Sequence, residues 1–179
     1  YMFKHALTQE VVYNSLLKKE RCAIHEQIAQ VIETIFGERL AEFNETLAYH
    51  FARGKSDEKA VKYLIQSGKK SLARYAVEEA HQYFKQAYDI LNSKNKLSDL
   101  ESHILLDLLN NWGFAYYFSG EFKDFITIFK HHQSVVDSLD DKGKVGMYYN
   151  WLGYAHYNAG KPKPAYEYLC KSIEIADYT

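Results

Sequence analysis

Two nine-residue stretches constrain this chain more than anything else in it: Trp112-Gly113-Phe114-Ala115-Tyr116-Tyr117-Phe118-Ser119-Gly120 and Leu152-Gly153-Tyr154-Ala155-His156-Tyr157-Asn158-Ala159-Gly160. Each sets a large apolar residue before a glycine, continues with aromatics and closes on a second glycine seven residues later. Both lie in long segments with helical spacing, where a glycine costs about 1 kcal/mol relative to alanine. That cost, met twice at the same place in a repeat, points to a neighbour passing close to the helix backbone. The pattern predicts stacked helical hairpins.

Punctuation agrees. Only two prolines, Pro162 and Pro164, occur in 179 residues, which favours an all-helical chain over a β protein with many turns. An apolar fraction of 47%, with 16% aromatic, excludes disorder and is enough to bury a core. Lys+Arg 22 against Asp+Glu 23 leaves no basic excess to draw in nucleic acid or an anionic membrane. No apolar run reaches the ~20 residues that span a bilayer, and no signal peptide is visible. Cys22 and Cys170 read as buried thiols in a reducing compartment, so the expected location is cytoplasmic. The first residue is Tyr1, and the chain is expected to be a piece of a longer protein.

About nine helices are expected. The first follows Leu7, Val11, Val12 and Leu16; the second repeats Ile24, Ile28, Val31 and Ile35, with His25, Ala29, Ile32 and Phe36 alongside. This wide stripe predicts a helix largely buried on one side. A third carries Leu40, Phe43, Leu47 and Phe51. Ser56 or Asp57 caps a fourth with Val61, Leu64, Gly68 and Leu72, and a fifth begins near Val77. Ser98 and Glu101 form a capping box for the sixth. The last four are expected at about 98–119, 122–139, 141–159 and 162–176, with two prolines tolerated in the final first turn.

Gly68, Gly113 and Gly153 stand 45 and 40 residues apart. Twelve residues after each come Ala80, Phe125 and Ala165; then Phe84, Phe129 and Leu169; then Ala87, His132 and Ser172. In this pattern the chain resembles the tetratricopeptide repeats. The resemblance implies a right-handed superhelical array of antiparallel helix pairs, an α-solenoid, with three repeats at about 61–94, 106–139 and 146–179. Phe125 and His132 fill positions that the repeat normally keeps small, which predicts looser packing or a shifted crossing angle in the middle hairpin.

A second resemblance covers residues 1–92. Tyr1-Met2-Phe3-Lys4-His5-Ala6-Leu7-Thr8-Gln9-Glu10, Tyr13, Ser15-Leu16-Leu17, His25 with Ile28-Ala29, and Leu47-Ala48-Tyr49-His50-Phe51 are similar to a helical segment of bacterial signalling ATPases. There the segment joins an NTPase and winged-helix region to helical repeats, sometimes behind class III adenylate or guanylate cyclase domains. The resemblance implies that residues 1–58 link to upstream domains and that 59–179 form the repeats.

Chemistry is sparse. Neither phosphate-cradling glycine motif occurs, so the chain itself is expected to bind no nucleotide or other cofactor. His25-Glu26 lacks the second histidine of a zinc helix because position 29 is Ala. His131 and His132 point about 100° apart on a helix, one expected exposed and one packed. No metal site is expected. Glu78-Glu79, Glu121 with Asp124, and Asp140-Asp141 sit at helix starts, where they complement the dipole. The chain reads as no enzyme.

What remains is a binding surface. The tetratricopeptide resemblance implies a concave groove lined by Asn110, Phe114 and Tyr117 in the middle repeat and by Asn150, Tyr154 and Tyr157 in the last. The first repeat would offer Ile65, Lys69 and Leu72. Each triplet shares one helical face. The asparagines suit main-chain groups and the rings supply area; Phe114 and Tyr154 suit either groove or core. Ile65, Met147 and Trp151 stand where a clamp for acidic C-terminal tails needs charge or amide, which disfavours that ligand. The expected partners are a protein or peptide in the groove, the upstream domains of the same polypeptide, and a second copy through the last repeat. The alternative is a regulatory fragment of a nucleotide cyclase or ATPase whose activity lies in absent domains.

Overall fold

The computed structural model describes residues 6–176, and no strand occurs among them. Ten α-helices follow one another: α1 (Ala6–Ser15), α2 (Lys18–Ile35), α3 (Asn44–Phe51), α4 (Asp57–Ala73), α5 (Val77–Asn92), α6 (Asp99–Ser119), α7 (Phe122–His131), α8 (Gln133–Asp137), α9 (Lys142–Asn158) and α10 (Pro162–Ala176). A 3-10 segment, Gly37–Phe43, joins α2 to α3. The chain is all-α, as expected. It forms two compact units that divide between Ser67 and Gly68, inside α4.

In the first unit α2 packs on α3 and on the 3-10 segment. Ala29, Leu47, Ala48 and Phe51 are buried together with Ala60, Val61, Tyr63 and Leu64 from the start of α4. The stripe expected to be buried on α2 is the exposed one: Ile24, Ile28, Val31 and Ile35 all face outward. The inward face is His25, Glu26 and Ala29, and it is held by polar bonds as well as apolar area. Glu26 accepts the backbone N–H groups of Lys55 (2.8 Å) and Ser56 (3.2 Å), the Ser56 hydroxyl, and Gln30 Nε2 (3.2 Å). It thereby holds the turn that leads into α4. Burial alone would raise the Glu26 pKa, but these donors outweigh it and hold the carboxyl below its ordinary range. His25 reaches Tyr13 Oη (3.0 Å) and His50 Nδ1 (2.9 Å).

In the second unit α5 packs on α6, α6 and α7 on α9, and α9 on α10. Two of the three aligned glycines do what their position implies. A Cβ on Gly68 would lie 2.5 Å from the Phe84 ring, and one on Gly153 would lie 2.6 Å from Leu169 and 3.2 Å from the Ala165 carbonyl oxygen. Gly113 differs: the atoms crowding it belong to Trp151 of α9, at 2.6 Å. Phe129, sixteen residues after Gly113, stacks instead on Phe125 (4.0 Å) and Tyr148 (5.1 Å).

The expected helix 122–139 is broken at His132, whose φ −103° and ψ 8° leave the helical region. The His132 N–H returns to the Phe129 carbonyl (3.1 Å), and the buried Tyr148 hydroxyl donates to that same oxygen. The His132 ring bonds Tyr88 Oη at 3.1 Å. Packing there is tight, not loose: Phe125, Phe129 and His132 are all buried. His131 is exposed and His132 buried, as their angular separation requires.

Helix ends follow local chemistry. Ser98 Oγ accepts the Glu101 N–H and the Glu101 carboxylate accepts the Ser98 N–H at 2.8 Å, the reciprocal box read from sequence. A hydrogen bond from Lys94, followed by those from Ser98, lowers the Glu101 carboxyl to about 2. Gly120 and Gly160 close α6 and α9 in the left-handed region at φ +76° and +71°. The residue seven after Gly68 is Tyr75, which adopts φ +60° at the same place after α4.

Candidate functional site

Side chains from α6 and α9 build one continuous aromatic surface in the second unit. Phe114 meets Trp151 edge-on at 4.9 Å, and Trp151 lies 6.3 Å from Tyr154. Tyr154 contacts Tyr117 at 5.4 Å and Phe122, at the start of α7, at 5.8 Å. Tyr117 contacts Phe118 (5.2 Å), which in turn meets Tyr75 (6.0 Å). Phe114, Tyr117, Phe118, Met147 and Tyr157 are all more than two-fifths exposed. Exposed rings clustered in this way mark an interaction surface more often than singly scattered ones do.

The helical register explains the arrangement. Met147, Asn150, Tyr154 and Tyr157 recur at three- and four-residue steps along α9, and Phe114, Tyr117 and Phe118 share a side of α6. Inward positions between them, Ala115 and Tyr116 on α6 and Leu152 and Ala155 on α9, are buried. Trp151 is the hinge between the two roles. It is 8% exposed, so its ring is largely core. Its indole nitrogen, buried without a hydrogen-bond partner, is turned toward Gly113.

The structure brings Phe114, Tyr117, Tyr154 and Tyr157 of the sequence-derived set to this surface, with Asn150 exposed on the same helix. Phe114 and Tyr154, open between groove and core, are accessible, Phe114 more so. Asn110 is different. It is buried, and its Nδ2 donates to the Lys144 carbonyl at 3.0 Å while Oδ1 has no partner. It ties the middle of α6 to the first turn of α9, so its amide is used in packing and not offered to a ligand. Lys69 is exposed on α4, and no ring contact or hydrogen bond among the described residues joins it to the aromatic surface. Phe118, Phe122 and Tyr75 were missed. Phe118 lay inside the repeated motif, but its outward direction depends on where α6 is packed.

The charged end of this surface is self-compensated. Lys144 pairs with Asp107 (2.9 Å) and Asp141 (3.4 Å), and the hydrogen bond with Asp107 is the main reason its pKa is raised. No three His, Cys, Asp or Glu side chains among the described residues could hold a metal ion. Cys22 and Cys170 are both free, and no helix among the described residues is long and apolar enough to cross a membrane.

No family model matches the chain. Over 110 residues it is 34% identical to an uncharacterized protein of Rhizobium meliloti (strain 1021), a match covering 60% of this chain and 10% of that relative. The chain spans about a tenth of the length of the relative it matches.

Proposed function

We propose that this chain is a protein–protein interaction module, the scaffold or sensor arm of a larger signalling protein, and that it holds a peptide or helix on the aromatic surface of α6 and α9. The helices would stack as tetratricopeptide-like hairpins in a right-handed superhelix. In support, Gly68 and Gly153 each meet the large residue sixteen positions later, Phe84 and Leu169, as paired helices of such repeats require. The observation that carries the reading is the path of ring contacts from Phe114 to Tyr75, in which Phe114, Tyr117, Phe118 and Tyr75 are exposed, Tyr154 is half-buried and Trp151 lies beneath them. The few residues that dominate binding energy at recognition surfaces are enriched in Trp and Tyr, which give large contact area at low ordering cost. The test is a pull-down comparing wild type with Phe114→Ala/Tyr154→Ala, after circular dichroism has confirmed that both fold. Loss of the same partners supports the proposal; equal recovery removes this face from it.

In the larger protein, upstream ATPase or cyclase domains of the same polypeptide are the second proposed partner. The outward apolar face of α2, with Ile28, Val31 and Ile35, suits such a contact. A partner held by the module would shift those domains between inactive and active arrangements. Unchanged ATP hydrolysis and cyclic nucleotide output after deletion of this arm would overturn that part.

A further inference from the structure

A different side of α6 carries a second recess. Helices α5, α6 and α7 enclose a cleft of about 430 Å³, lined by the rings of His81, Tyr88, Trp112 and Tyr116 and rimmed by carboxylates. Three of those carboxylates, Glu78, Glu121 and Asp124, form no ion pair with any described residue. The fourth, Asp89, is engaged by Lys85 at 2.7 Å.

Each acid has an ordinary reason to be where it is, since Glu78 and Asp124 lie in the first turns of α5 and α7 and Glu121 precedes α7. The polar groups of the floor supply an independent observation. Trp112 Nε1 donates to His81 Nδ1 (2.9 Å), so His81 carries its proton on Nε2, which reaches Ser119 Oγ at 3.1 Å. Tyr88 Oη is paired with His132. The Tyr116 hydroxyl makes no hydrogen bond to a described residue; Tyr116 as a whole is only 5% exposed, and its oxygen keeps access to solvent at the cleft. It is within electrostatic range of Asp124 and Glu121, which add to burial in raising its pKa. A side chain so largely buried, with its free hydroxyl at the cleft wall beside two carboxylates, offers an acceptor to a bound N–H group.

We infer that this cleft binds an organic cation bearing N–H donors, a primary alkylammonium such as a polyamine end or a lysine side chain. The alkyl stem would lie against the rings, where cation–π attraction adds to apolar contact. The ammonium would donate to Tyr116 Oη and to the carboxylates of Glu121 and Asp124. A bare metal ion is not the occupant, because the acids do not converge closely enough to hold one.

Calorimetric titration of the 179-residue chain would use three probes: 1,5-diaminopentane, N-acetyl-lysine methylamide, and tetramethylammonium. The third matches the charge but cannot donate. Binding of either amine, with tetramethylammonium much weaker, is the expected result. Tyr116→Phe, which removes only the unpaired hydroxyl, should weaken amine binding by roughly tenfold, as should Glu121→Gln/Asp124→Asn at the exposed rim. Tyr117→Ala, on the other surface, should leave it unchanged. Tighter binding of the diamine points to a free polyamine, and tighter binding of the lysine derivative points to a partner's side chain; either supports the site. Failure of both amines to bind at millimolar concentration overturns it. So does equal binding of tetramethylammonium, or indifference to all the cleft variants.

Discussion

Gly113 of α6 faces the indole of Trp151 on α9, so closely that a Cβ would stand 2.6 Å from the ring. Its repeat equivalents Gly68 and Gly153 face Phe84 and Leu169 from the helix that follows each of them. Twelve residues after Gly113 stands Phe125, where Gly68 and Gly153 are followed by Ala80 and Ala165; Phe129 stacks on it, and the space above Gly113 is filled from α9.

Alanine at these glycines should therefore separate by what it meets. Gly153→Ala runs into Leu169 and the fixed Ala165 carbonyl; overpacking of about 1–3 kcal/mol exceeds the roughly 1 kcal/mol of helix propensity gained. Gly113→Ala, against a packed indole, should also lower stability. Gly146 meets nothing nearer than 3.6 Å, so Gly146→Ala should raise it. Thermal melts of the three variants check the order, and a stabilised Gly153→Ala would contradict the close approach.

Tyr75 holds φ +60° where Gly120 and Gly160 hold the same turn without a Cβ. Left-handed backbone costs a bulky residue about 1–2 kcal/mol. Tyr75→Gly should thus stabilise the fold, less the exposed ring contact with Phe118. Denaturant midpoints would show it; a midpoint unchanged or lowered would mean that the ring contact outweighs the strain.

Asn110 and Asn150, matched by the repeat, should respond oppositely. Asn110→Ala removes the donor to the Lys144 carbonyl and should cost about 1–3 kcal/mol. Asn150→Ala, exposed on the aromatic side of α9, should leave the melting temperature unchanged and weaken partner capture. Measuring stability and pull-down recovery for both variants separates packing from recognition.

His132 should make the fold sensitive to acid. Burial, and then the neighbouring His131, push its imidazole down to about 4 from an ordinary 6.5. Between those values the unfolded chain takes up a proton that the folded one refuses, so stability falls as the pH drops from 6.5 toward 4. The loss near pH 4.5 is about 2 kcal/mol from this group. His132→Asn should flatten the melting temperature between pH 7 and 4.5, and an unchanged slope would assign the effect to other groups.

Much of this was legible in local chemistry. The Ser98–Glu101 box, Pro162 at the start of α10 and the glycine stops after α6 and α9 are all short-range rules acting on a few residues. Other features were not. The apolar stripe Ile24, Ile28, Val31 and Ile35 matches helical periodicity as well as the buried face does, and only packing against α3 decides which side turns inward. Tyr75 is legible in the spacing: it stands seven residues after Gly68, as Gly120 and Gly160 stand seven after Gly113 and Gly153.

The sequence by itself determined an all-helical chain and which glycines must meet a neighbour, because propensity, capping and the cost of a missing Cβ are local properties. That Gly113 meets Trp151, and not the residue sixteen positions later as Gly68 and Gly153 do, was decided by the tertiary structure alone. Trp151 against Gly113, Asn110 against the Lys144 carbonyl, and the His132 break each depend on volumes brought together from distant parts of the chain. A close-packed interior settles such choices by fit, and fit is not written in the spacing of any one helix.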